Sequence, residues 1–97
     1  MSVNDDIRNY YEQLVMEHIY AQDLHLRFEK EFIADLCCLV LNKLPPRYIR
    51  YEVDMAFFLS QQERADMNER VKETVQSVLT YLEQRQKDNP NEEERRR

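Results

Sequence analysis

The residues from Asp35 to Tyr48, DLCCLVLNKLPPRY, constrain this 97-residue chain more than any others. An apolar helical run ends there in two consecutive prolines, and a cluster of cationic and aromatic residues follows directly. Pro45 disfavours helical geometry at Leu44, and neither proline can donate a backbone hydrogen bond, so the helix must stop and leave in a fixed direction. Upstream, Phe28, Phe32, Ile33, Leu36, Val40 and Leu44 form one stripe at helical spacing. Cys37, Leu39 and Leu41 make the later half apolar on nearly every side, so that half is expected to be buried between other elements. This second helix is expected from about residue 26 to 44. Asp35 and Asn42 are its polar exceptions, each read as a structural hydrogen bond or a capping contact.

The remaining elements are read as packing around that helix. Asn4, Asp5 and Asp6 offer N-terminal caps for a first helix over about residues 5–21. Ile7, Tyr11, Leu14 and His18 mark its stripe, widened by Tyr10, Val15 and Ile19. Its tyrosines, Tyr10, Tyr11 and Tyr20, suit either a stacking surface for a base or core and interface positions. Asp23 is a break and cap before the second helix. After the prolines the period changes, with Ile49, Tyr51, Val53 and Met55 alternating with polar residues through 48–56, the repeat of a half-buried strand. No second strand candidate is evident, so pairing is expected with the same segment of another copy across a two-fold axis. Ser60 and Glu63 form a capping box for a third helix running to about residue 86, with Met67, Val71, Val75, Val78 and Leu82 on one face and Leu79 beside them. Its length exceeds what one small unit needs to cover, which places part of it against a partner chain. The expected architecture is mainly α, a compact three-helix unit with a short β-strand able to pair across a homodimer axis. It occupies residues 1–86, followed by a disordered charged tail at 87–97.

Composition narrows the function classes. A single domain of this length buries only about 60–65% of the surface its unfolded chain exposes, so a partner surface is expected. The net charge of -5 argues against nucleic-acid binding and against an anionic membrane surface, both of which need clustered cation. No apolar run approaches the roughly 20 residues of a membrane span, and the acidic, polar start is unlike a signal peptide; the location expected is cytoplasmic. The chain has no glycine, which excludes phosphate-cradling glycine loops, so any nucleotide must be held by side chains. The two cysteines, Cys37 and Cys38, are adjacent in a helix and point about 100° apart, which suits neither a disulfide nor a zinc site and reads as two small core residues. His18 and His25 have no metalloprotease-type spacing and no nucleophile sits in an elbow context, so no catalytic residue, metal ligand or cofactor is expected.

The chemistry that remains is at the bend. Lys43, Arg47 and Arg50 supply three cations within eight residues, interleaved with Tyr48 and Tyr51. An arginine fork can grip phosphate or the O6/N7 edge of guanine, and a tyrosine face can stack on a base. The other reading of the same residues has Arg47 and Arg50 in salt bridges with Glu52 or Asp54 and the tyrosines packed as core.

The string from Asp35 to Tyr48, with the tyrosine-rich helix before it and the long amphipathic helix after it, resembles the late competence development protein ComFB family over about residues 5–85. The resemblance implies a small, helix-rich homodimer and, for the family, receptors of the bacterial second messenger cyclic di-GMP. That ligand is two-fold symmetric, with two phosphates and two guanines, so a dimer offering Arg47, Tyr48 and Arg50 from each copy would complement it. Arg47 and Tyr48 lie in the matching motif; Arg50, Tyr51 and Lys43 are added on physical grounds. Some relatives carry a zinc-holding cysteine cluster before the equivalent helix, where this chain reads DLHLRFEKEF, so that metal site is expected to be absent. The competing expectation is a ligand-free dimeric adaptor that acts on an unknown protein partner through its long helix and charged tail.

Overall fold

A computed structural model describes residues 7–50 and 59–88. In chain order these form β1 (Ile7–Asn9), α1 (Tyr10–Ala21), the single-turn α2 (Leu24–Arg27), α3 (Lys30–Lys43), β2 (Tyr48–Arg50) and α4 (Gln61–Asp88). Each of the three long helices packs on the other two, and a two-stranded antiparallel ribbon closes one end. The mainly helical architecture expected from the sequence is what is observed.

The core is the meeting of three apolar stripes. Leu14, Val15 and Ile19 come from α1, Phe32, Leu36 and Val40 from α3, and Met67, Val71, Val75, Val78, Leu79 and Leu82 from α4. Burying an aliphatic side chain of this kind stabilises by about 1.5–3 kcal/mol. Ile19 and Val15 of α1, Leu36 and Val40 of α3, and Val71, Val75 and Val78 of α4 are fully enclosed.

Three expectations are corrected. The first helix does not start near residue 5: Ile7–Asn9 is a strand, paired with Tyr48–Arg50 in the register Ile7↔Arg50, Arg8↔Ile49, Asn9↔Tyr48. A second strand therefore exists in the same chain, and Tyr48–Arg50 pairs along one edge with it and not with another copy. The second helix is interrupted, since α2 ends at Arg27 and Phe28 is extended at φ -128°, ψ 154°. Phe28 keeps its place on the stripe by stacking on Phe32, ring centroids 4.4 Å apart. Finally, Cys38 is exposed and not a core residue, while Cys37 is half-buried and packs against the edge of the core. The expected caps at Asn4, Asp5 and Asp6, the strand beyond residue 50 and the tail from residue 89 lie outside the described residues; Lys87 and Asp88 belong to α4.

The turns follow their residue chemistry. Asp23 breaks the first helix as expected, in left-handed geometry at φ 55°, ψ 26°, but its side chain makes no capping hydrogen bond to α2. Aspartate tolerates that region better than most side chains, which matters in a chain without glycine. Leu44 is extended at φ -100°, ψ 137°, as the proline after it requires. Ser60 caps α4, its hydroxyl accepting from the Glu63 N–H at 3.1 Å.

Candidate functional site

The bend after α3 is held by the start of α1. Asn9 caps α1, its Oδ1 accepting from the Tyr11 N–H at 3.2 Å and from the Arg47 N–H at 2.8 Å. The Tyr10 N–H donates in turn to the Arg47 carbonyl at 2.6 Å. Both backbone polar groups of Arg47 are thus committed to the N-terminus of α1. The guanidinium leaves from a fixed point on the chain.

That side chain crosses to α4, where Arg47 Nη2 lies 3.7 Å from Glu63 Oε2. The two side chains are 45% and 54% exposed, so the pair contributes about 0–1 kcal/mol and holds orientation more than stability. At 3.7 Å it is an ion pair and not a hydrogen bond. Around it opens a cleft of ≈ 250 Å³ between the proline bend and the first turns of α4. Pro45, Pro46 and Arg47 form one side, and Glu63, Asp66 and Arg70 the other, with the buried Tyr11 and Met67 behind.

The other predicted site residues divide. Tyr48 and Arg50 flank the buried Ile49 and are exposed, so strand alternation puts them together on the outer face of the ribbon. Tyr48 is 67% exposed and does not pack as core. Lys43 is exposed in the last turn of α3 and does not line the cleft. Tyr51 lies outside the described residues, as do Glu52 and Asp54, the expected partners of the arginines. Glu63, which the sequence marks only as a cap, is the carboxylate that meets Arg47. Asp66 and Arg70 were missed, though 63, 66, 67 and 70 follow helical spacing on the face that turns toward the bend.

Two further features frame the site. A larger open groove of ≈ 1210 Å³ runs between α1 and α4 over Leu14, Val71 and Val75. His18 on its wall has its pKa lowered, first by burial and then by the charge of Lys72. On α3, Ala34, Cys37, Cys38 and Leu41 form an i, i+3, i+4, i+7 stripe that is not fully covered. Cys37 Sγ lies 4.0 Å from Met16 Sδ, which joins this stripe to α1. Burial pushes the Cys37 thiol up, with Cys38 adding to the shift, and disfavours a reactive thiolate. Among the described residues no cluster of three or more His, Cys, Asp or Glu could hold a metal ion, and no helix is long and apolar enough to cross a membrane.

Against known families, the model for "Late competence development protein ComFB" matches residues 8–86. The chain belongs to the ComFB family. The match runs from the ribbon through the last turns of α4 and takes in every residue of the cleft. ComFB is not a family of known enzymes. No curated protein and no solved structure matches the chain.

Proposed function

We propose that this ComFB protein is a non-catalytic, homodimeric regulator that binds cyclic di-GMP through the corner built by Arg47, Tyr48 and Arg50. Its family points to a competence-related regulatory role, and the ligand is the finer step. The observation that carries it is the double anchoring of Arg47. A guanidinium displayed from a backbone fixed at both its N–H and its carbonyl starts from one place on the surface, where its fork can meet a phosphate or the O6/N7 edge of guanine. Tyr48 beside it offers an exposed ring for stacking on a base, and Arg50 a second cation on the same outer face. Two copies of the corner suit a two-fold ligand. The surface that would join them is the α3 stripe of Ala34, Cys37, Cys38 and Leu41 with Met16 beside it, small and apolar enough for close packing.

The test is calorimetric titration of the whole chain with cyclic di-GMP, beside GTP, cyclic GMP and cyclic di-AMP. Saturable binding of cyclic di-GMP is expected, weakened about 10–150-fold by Arg47→Ala, the loss of one charge-assisted contact worth roughly 1.5–3 kcal/mol. Absence of heat with every nucleotide overturns the receptor reading and leaves a ligand-free adaptor.

A further inference from the structure

The cleft beside the double proline is electrically balanced. Its lining carries two cations, Arg47 and Arg70, and two carboxylates, Glu63 and Asp66. A phosphodiester placed there would meet as much negative charge as positive, so the cleft is a poor phosphate site. A neutral group that presents acceptors on one edge and donors on another is what a balanced cleft satisfies. Guanine is such a group, with O6 and N7 accepting and N1–H and the 2-amino group donating. Size agrees: ≈ 250 Å³ is below the roughly 300–1,000 Å³ of sites that take a whole drug-sized ligand, and suits one base and not a dinucleotide. The walls agree as well, because Pro45 and Pro46 give flat apolar faces that need no hydrogen bond from a ring plane.

We infer that this cleft receives a guanine base of the nucleotide and that Glu63 is the residue that reads it. The inference rests on the receptor reading above and adds the basis of its selectivity. Of the two carboxylates, Asp66 already accepts from Gln62 Nε2 at 2.9 Å. Among the described residues the Glu63 carboxylate has the long contact to Arg47, at more than hydrogen-bond distance, and its side chain is half exposed. With the Arg47–Glu63 pair opened, the two Glu63 oxygens can accept from N1–H and the 2-amino group together, while Arg47 on the opposite wall meets the O6/N7 edge. Adenine turns an N1 lone pair toward the same carboxylate and is repelled. The phosphates then lie outside the cleft, toward Tyr48 and Arg50 on the ribbon's outer face.

The experiment compares wild type, Glu63→Gln and Arg47→Ala by calorimetry with cyclic di-GMP, cyclic di-AMP and cyclic di-IMP, whose bases lack the 2-amino group. Glutamine retains the shape of glutamate and leaves the cap, the residue-63 N–H on the Ser60 hydroxyl, in place, so the fold is expected to survive, which thermal melting checks. Glu63→Asp, with the carboxylate withdrawn by one methylene, is the second variant should Glu63→Gln fail to fold. Expected is a loss of about 5–150-fold for cyclic di-GMP in Glu63→Gln with cyclic di-AMP unaffected or improved. Wild type should also prefer cyclic di-GMP to cyclic di-IMP, a preference the variant loses. If Glu63→Gln binds cyclic di-GMP as well as wild type, or more tightly because Glu63 merely competes for Arg47, base reading is overturned while the receptor stands. If wild type binds no nucleotide, both readings fall.

Discussion

At the scale of single residues, Asn9 ties the start of α1 to the bend after α3. One amide oxygen accepts the α1 capping bond and the bond that holds the bend. Asn9→Ala is expected to destabilise by about 1–2 kcal/mol, read as a lower midpoint in urea unfolding, because a cap is lost along with a tie between elements. Asn9→Asp retains an acceptor at the same place and should stay near wild type in the same measurement. His18 gives a pH dependence with a definite sign. Its folded pKa is lowered below 6.5, so the unfolded chain takes up the proton more readily, and stability is retained above about pH 6.5 and lost as pH falls through the folded value. Melting temperature should therefore fall between pH 7.5 and 5, and less so in His18→Gln. None of these roles is visible in local sequence. Glu63 carries the signature of a cap because Ser60 is three residues before it, whereas its contact with Arg47 spans sixteen positions and leaves no periodic trace.

At the scale of elements, the stretches that sequence reads well are those whose neighbours are local. The stop after Leu44 and the Ser60 cap follow from the residues on either side. The stripes of α1 and α4 follow from spacing alone. The beginning of the chain is different: Ile7, Tyr11 and Leu14 fit a helical repeat, yet Ile7–Asn9 pairs with a segment some forty residues away, and that ladder overrides the repeat. The break at Phe28 escaped for a related reason, since the ring keeps its stripe position by stacking on Phe32 while its backbone leaves the helix. The α3 stripe carries the prediction that belongs here. Cys38 is exposed, so Cys38→Lys should leave each chain folded by circular dichroism and, if this face joins two copies, reduce the sedimenting mass to the 11.9 kDa of one chain. A persistent dimer would assign another surface.

At the scale of the whole molecule, α4 spans about 42 Å at 1.5 Å per residue, close to the 47 Å long axis. Its buried residues run only from Met67 to Leu82, so residues 83–88 extend past the core and are exposed. A ligand that bridges the bend and the first turns of this helix would clamp the molecule at the ribbon end. At about 100 times its dissociation constant, such a ligand adds about 2.7 kcal/mol, and at about 4–8 °C per kcal/mol the melting temperature should rise by roughly 10–20 °C. A shift with cyclic di-GMP and none with cyclic di-AMP is the expected outcome in differential scanning fluorimetry. The bond from Arg47 to Asn9 has a consequence for how the chain folds. It closes a loop across 38 positions, and the closure entropy of such a loop is of order 3 kcal/mol. A few hydrogen bonds at about 0.5–1.5 kcal/mol each barely offset that, so the ribbon can zip only after the helices have already brought its two ends together. The corner that holds Arg47 is then expected to assemble last, and a half-folded chain would not present that guanidinium.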